Sequence, residues 1–255
     1  MNISIITATF NSGATVRDTL ESVMRQTHSD WELIIKDGGS KDNTLDICRE
    51  IADNAAGRIK VISSPDKGIY DAMNQGIEAA TGDVIGLLNS DDFYTSDDVL
   101  AAVNERLSDS DLDAVYGDIH FVDVGDLDRC VRYYSSANFK RERMMQGWMP
   151  AHPSFYCRRD VYQKFGLFDT SFKVAADFEQ LLRLIYIHRI NIEYIPKDFV
   201  TMRLGGASTA GLKARMVIMK EHLRAFKKNG IPNNAFRLSL RYFSKLLEYG
   251  RKKYA

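Results

Sequence analysis

Cysteine is scarce in this chain of 255 residues: Cys48, Cys130 and Cys157 are the only three, and no two form a CxxC pair. That spacing excludes a zinc ribbon and a disulfide framework, and it fits a reducing compartment. Apolar runs are short as well. None reaches the ~20 residues that a bilayer-spanning helix needs. The opening Met1-Asn2-Ile3-Ser4-Ile5-Ile6 carries neither a basic flank nor a small-residue cleavage site. The expectation is a cytoplasmic protein, soluble or held peripherally at the inner face of the cell membrane.

Two nucleotide-binding signatures are also missing. A dehydrogenase would carry G-x-G-x-x-G after its first strand, where this chain reads Thr9-Phe10-Asn11-Ser12-Gly13. The P-loop pattern G-x-x-x-x-G-K-[ST] is absent, which argues against a P-loop phosphotransferase. Net charge is zero, with 34 Lys and Arg against 34 Asp and Glu. The balance is uneven: residues 213–255 hold 12 basic residues and two Glu, so residues 1–212 carry a net −10. A basic C-terminal segment of this kind suits an anionic partner. No recognisable nucleic-acid module accompanies it, so nucleic acid is not the expected partner.

What is present is ordinary globular composition, 45% hydrophobic and 27% charged, in a chain long enough to bury a core unaided. Short β-rich runs at 3–8, 31–36, 59–62 and 84–88 alternate with helical spacing at Leu20, Val23 and Met24 and with helices near 43–52 and 70–80. Strands separated by helices predict an α/β fold with a mostly parallel, doubly wound sheet. Ligands of such sheets bind beyond the carboxyl ends of the strands. Polar clusters follow each strand there, at 9–12, 37–40, 64–67 and 89–92. The second half is less regular, with strands expected at 114–116, 119–122, 130–134 and 192–195. Residues 138–153 read as loop or short helix, 176–187 as helix, and 213–228 and 235–250 as two C-terminal helices.

The strongest chemical signal is Leu87-Leu88-Asn89-Ser90-Asp91-Asp92, a buried strand ending in adjacent carboxylates. Two such charges ~6 Å apart repel by about 3 kcal/mol at an effective dielectric near 20. A divalent cation relieves that repulsion and acts as a Lewis acid for phosphate oxygens. A solvated turn or a helix N-cap is the alternative for the pair. In Asp37-Gly38-Gly39-Ser40 the glycines allow a sharp turn close to a ligand, and Asp37 could accept hydrogen bonds from a nucleobase or ribose. A tight strand-to-helix turn explains the same residues, and both readings can hold together.

Thr7-Ala8-Thr9-Phe10-Asn11-Ser12, Asp37 to Thr44, Asp66-Lys67-Gly68-Ile69-Tyr70-Asp71-Ala72-Met73-Asn74-Gln75-Gly76 and Asn89-Ser90-Asp91-Asp92 resemble, in order and spacing, glycosyltransferase family 2. The likeness resumes at His152-Pro153-Ser154 and at Ala175-Ala176-Asp177-Phe178-Glu179. It implies a GT-A fold, Rossmann-like, with a nucleotide-binding half at 1–100, an acceptor half at 101–212 and a helical appendage at 213–255. It also implies an inverting transfer from a nucleotide diphosphate sugar, most commonly a uridine diphosphate sugar. The donor contacts it implies are Thr7, Thr9, Asn11, Asp37, Gly38, Lys67, Asp71, Asn74, Asp91 and Arg203. Asp92 would hold Mn2+ or Mg2+, and Asp177 would be the general base. Trp148, His152 and Arg183 would line the acceptor side. Met73 stands where many members have Arg, and Lys67 is the replacement charge to consider.

Direct displacement at an anomeric carbon needs a base on the acceptor side and charge neutralisation at the leaving diphosphate. Asp177 as a helix N-terminal charge is its structural alternative, and a flexible linker is the alternative for the segment 203–209. Phe236, Leu240, Phe243 and Leu247 with Arg237, Arg241 and Lys245 make a basic, aromatic-rich helix. It can lie in a membrane interface or pack on the domain. At a membrane, a polyprenyl-diphosphate-linked sugar or surface glycan becomes the expected acceptor. A nucleotidyltransferase of similar architecture and a non-catalytic sugar-nucleotide or polysaccharide binding module are the rival functions.

Overall fold

The computed structural model describes residues 1–205 and 211–240. Four strands, β1 (Ile3–Thr9), β2 (Trp31–Asp37), β3 (Ile59–Ser63) and β4 (Val84–Leu87), run parallel in the order β3-β2-β1-β4. All seven residues of β1 are buried, because both faces of the sheet are covered. Ile3 and Ile5 join one core with Val16, Leu20 and Val23 of α1 (Val16–Met24) and Ile47, Cys48 and Ile51 of α2 (Thr44–Asp53). Ile6 and Ala8 join the other with Ala72, Met73 and Ile77 of α3 (Ile69–Ala79). A Cβ at Gly76 would run into the Ile6 side chain. The glycine therefore sets how closely α3 approaches the sheet.

Beyond β4 the chain forms β5 (Phe93–Tyr94), α4 (Val99–Leu107), β6 (Ala114–Asp123) and β7 (Asp126–Tyr134). Then follow β8 (Tyr156–Arg158), α5 (Arg159–Phe165), α6 (Ala176–Leu181), β9 (Ile192–Arg203) and α7 (Gly211–Lys228). The sheet continues β4-β8-β6-β9-β5, with β7 pairing β6. Here it is mixed: β8 is antiparallel to both β4 and β6, while β6 and β9 are parallel. The two runs expected at 114–116 and 119–122 are one strand, interrupted by register shifts against β9. The short elements β5, α4, β8 and α5 were not expected. Residues 141–146 form a 3-10 turn, and α6 runs on as a π-helical segment, Leu182–Ile187.

The expected boundary at 212/213 falls inside α7, and that helix packs on the domain. His222 stacks on Phe178 with centroids 3.8 Å apart, and Phe226 lies edge-on to the same ring. Arg224 sits 4.3 Å over Phe172 and bonds the Ser171 carbonyl at 2.9 Å. Residues 235–240 begin a second helix; the rest of the stretch expected at 235–250 lies outside the described residues, as does 206–210. Among the described residues no helix is long and apolar enough to cross a membrane.

Candidate active site

The order β3-β2-β1-β4 reverses direction between β1 and β4, and the crevice at such a switch point is where open α/β sheets bind ligands. The loops leaving those two strands are stitched together. Ser12 and Ser90 hydroxyls meet at 2.8 Å, and Thr15 donates to the Ser90 carbonyl at 2.8 Å. Thr19 of α1 donates to the Asp92 carbonyl at 2.7 Å. These bonds fix the Asn89–Asp92 turn from the α1 side. Arg203, at the end of β9, fixes it from the other: it donates to the Asp91 carbonyl at 2.7 Å, pairs with Asp18 and lies 5.1 Å over the Phe93 ring.

Within that turn two buried acceptors have no donor, Asn89 Oδ1 and Asp92 Oδ1. Asp92 is 1% exposed, and its other oxygen accepts the Asn89 amide at 3.1 Å. Burial pushes the Asp92 carboxyl above the usual carboxylate range. The charge of Asp91 adds to this, against the Asn89 hydrogen bond and Arg203. Leaving such acceptors unmet costs about 1–3 kcal/mol each, so the turn is built to receive a positive group. Asp91, only half-buried, can share it. Among the described residues no group of three or more His, Cys, Asp or Glu could hold a metal ion. Asp92, Asp91 and Asn89 are the residues of the turn that could hold a divalent ion.

Asp37 behaves differently. Its carboxylate is fully buried and accepts Gly39 N–H at 2.9 Å, Ser40 N–H at 3.1 Å, Ser63 Oγ–H at 2.8 Å and the Ser40 hydroxyl. Burial pushes its pKa up, but these hydrogen bonds outweigh it and the net position is below the usual value. Asp37 therefore shapes its loop. Asn11, at φ 50°, is tied to that loop: its N–H donates to Ser40 Oγ and its side chain accepts Lys41 N–H, both at 2.8 Å. Gly38 is required by Asp66, whose Oδ2 would lie 2.6 Å from an added Cβ. Thr7 and Thr9 are buried with hydroxyl oxygens that meet no partner.

On α3, Asp71 accepts Lys67 N–H at 2.9 Å and the Gln75 amide at 3.0 Å, closing the first turn. Lys67 is exposed and borders a cavity of about 340 Å³ shared with Tyr70, Asp71, Ser171 and Lys173. Asn74 exchanges two 2.9 Å hydrogen bonds with the Phe168 backbone, so its amide anchors a loop.

Asp177 opens α6. Burial pushes its carboxyl up to about 6, with Glu221 raising it further, while Phe178 N–H and Tyr70 oppose the shift. The Phe178 bond is 2.7 Å. Tyr70 stacks on Phe168 at 5.6 Å, and His152 meets the other side of that row edge-on at 5.6 Å. Burial pulls the His152 pKa down to about 4, so it is a neutral packing residue at physiological pH. Trp148 lies under Arg143, 4.7 Å from its guanidinium.

Arg183, expected to line the acceptor side, is held by backbone carbonyls and one carboxylate. It donates to the carbonyls of Phe165, Gly166 and Leu167 and pairs with buried Glu179 at 3.3 Å. The i,i+4 spacing on α6 directs it there. Sequence reasoning also passed over Phe10, 62% exposed beside Gly38, and Lys36, which is fully buried. Lys36 donates to the carbonyls of Asp37 at 2.8 Å and Ser64 at 2.7 Å and faces Asp66 at 3.5 Å. A lysine ending an apolar strand was the available signal.

A GT-A glycosyltransferase is the class that this sheet and its carboxylate-tipped strand define. The solved S. aureus TarS complex with UDP-GlcNAc superposes with a TM-score of 0.68 at 19% identity, covering 89% of this chain and 66% of that one. The mannosyltransferase PcManGT from Pyrobaculum calidifontis, in complex with GDP-Man and Mn2+, gives 0.67 at 16%, covering 89% and 63%. The chain thus spans about two thirds of these two solved chains and 43% of the longer TarS chain. The chain belongs to glycosyltransferase family 2, whose family model, described as glycosyl transferase family 2, matches residues 4–166. A PGL/p-HBAD biosynthesis glycosyltransferase of Mycobacterium bovis is 29% identical over 236 residues, 85% of this chain and 89% of the relative.

Proposed function

We propose that this glycosyltransferase transfers a sugar from a uridine diphosphate sugar to an acceptor hydroxyl with inversion at the anomeric carbon. The observation that carries the reading is the Asn89–Asp92 turn, where two buried acceptor oxygens lack donors beside a second carboxylate. Asp92, with Asp91, would hold a Mn2+ or Mg2+ ion, which would supply charge neutralisation at the leaving diphosphate. Arg203 keeps the turn in place from the β9 side. Phe10 offers a ring face to the nucleobase, and Thr7, Thr9 and Gly38 form the floor on which base and ribose lie. Lys67 adds positive charge at the rim of the cavity beside Tyr70.

Asp177 takes the proton of the acceptor hydroxyl as the new glycosidic bond forms. A carboxylate of ordinary acidity is a weak base, and a value near 6 brings it closer to the working pH. Solved relatives of this fold carry UDP-GlcNAc or GDP-Man, which supports a nucleotide-sugar donor. The test is thermal stability against a panel of nucleoside diphosphates with Mn2+, for wild type and Asp92→Asn. A ligand at 100 times its Kd stabilises the fold by about 2.7 kcal/mol. The expected result is a metal-dependent shift with UDP that Asp92→Asn abolishes. A shift with GDP alone overturns the uridine assignment, and a flat panel sinks the catalytic reading in favour of a binding module.

The acceptor belongs to surface-polysaccharide assembly, a glycan or polyprenyl-diphosphate-linked sugar met at the inner membrane face. The basic residues 213–255 support this, together with exposed Met216, Val217 and Phe236. Deleting residues 230–255 should remove binding to anionic liposomes; unchanged binding would end the membrane part of the proposal.

A further inference from the structure

Helix α6 begins without a capping side chain of its own: its N-cap is Ala175 and its first residue Ala176. The cap arrives from α7. The Glu221 carboxylate accepts the N–H groups of three consecutive residues, Lys173, Val174 and Ala175, each at 2.9 Å. Successive amides converging on one anion form a nest, and here the anion is part of the chain itself. Asp177 stands two residues beyond the last of those amides. The residue after it, Phe178, carries the stacked ring of His222, the neighbour of Glu221. One turn of α7 therefore grips the backbone before Asp177 and the side chain after it.

We infer that Glu221 is a positioning residue for the transfer step: through three amides it fixes where Asp177 stands, which makes α7 part of the acceptor side of the active centre. The inference rests on the reading of Asp177 as the base. The titratable groups facing Asp177 are Tyr70 from α3 and Glu221 from α7, with His222 of α7 on the Phe178 ring. Three converging donors demand an acceptor with no hydrogen of its own. Glutamine matches the shape of Glu221 but turns an NH2 group towards N–H groups, leaving donor against donor. Aspartate keeps the charge and falls one methylene short.

The experiment measures kcat and KM of the full chain, and kcat against pH, for wild type, Glu221→Gln, Glu221→Asp, Lys228→Ala and Asp177→Asn. A misplacement of about 1 Å at a reacting group costs about 100-fold in rate. Glu221→Gln should lower kcat by that order with donor KM unchanged. Its acid limb should move to lower pH, because a negative charge facing Asp177 is gone. Glu221→Asp should recover part of kcat. Lys228→Ala breaks a different α7 tie, to Asp169, and should leave kcat and the acid limb in place. Glu221→Gln with wild-type kcat overturns the inference. So does a loss of kcat and donor binding that Lys228→Ala reproduces in parallel, since that marks a purely architectural helix. Asp177→Asn at the wild-type rate overturns the base reading and this inference with it. An inactive Asp177→Asn beside a fully active Glu221→Gln removes only the inference.

Discussion

The turn after β4 presents a fully buried aspartate and the start of α6 a half-buried one, and their surroundings differ in kind. Around Asp92 the chain withholds donors: one carboxylate oxygen and the Asn89 side-chain amide oxygen are left bare inside the protein. Around Asp177 the chain supplies them, through Phe178 N–H and the neighbouring Tyr70, and adds an opposing charge from Glu221. The first arrangement leaves two buried acceptors open. The second holds a carboxylate between its ionised and neutral forms. The lesson is that burial alone does not define a role; the count of partners supplied by the fold does.

The sharpest way to break this comparison is Asp177→Asn. General-base catalysis contributes about 10²- to 10⁴-fold, so kcat should fall by at least about 100-fold with nucleotide binding retained. In the wild type, activity should decline as pH drops through about 6, the pKa at which the base takes up a proton. A rate independent of pH between 5 and 8, in a chemistry-limited assay, would separate Asp177 from the proton transfer.

Next in size is Arg183→Ala. Breaking a buried pair by removing one partner costs about 3–5 kcal/mol, and Glu179 would lose its guanidinium partner. Chemical denaturation should show a loss near the lower end of that range, because the Arg183 side chain is 15% exposed. The folded fraction should keep its kcat; a fall in kcat at full folding would restore Arg183 to the acceptor side.

The smallest effect is again at Asp177. Its folded pKa lies above the unfolded one, so its contribution to stability is greatest below the unfolded pKa and is lost as pH rises through about 6. Asp177→Asn should therefore stabilise the fold at pH 8, by about 1–3 kcal/mol. An unfolding midpoint that does not rise there would mean that burial does not strain this carboxylate.

The donor half was legible because its local and global signals agree. Ile3, Ile5 and Ile6 alternate between two cores, each parallel strand ends in polar residues, and the switch point gathers those ends without needing distant contacts. The acceptor half hid more. The three-residue β8 and two-residue β5 are too short to leave a periodic pattern, and they exist because β4, β6 and β9 offer edges to pair with. The same limit applies to side chains. Nothing in the sequence says that Asn74 meets the Phe168 backbone 94 residues away, or that Arg183 meets the carbonyls of 165–167. Glu221 was invisible for the same reason: a nest formed by 173–175 has no composition of its own.

The place of β5 in the sheet has a consequence for how the chain is made. Residues 93–94 leave the peptidyl transferase centre about a hundred residues ahead of β9, the only strand they pair with among the described residues, through Tyr94–Val200 and Phe93–Thr201. Until then the Asn89–Asp92 turn is moored by β4 and by its bonds to Ser12, Thr15 and Thr19, and Arg203 has not yet been added to hold it from the other side. A ribosome-bound chain ending near residue 150 should therefore show β1 to β4 complete and the Asn89–Asp92 turn without its hold from β9. Pairings of such long sequence separation form late, so the turn should reach its final setting in a single step once β9 has been made.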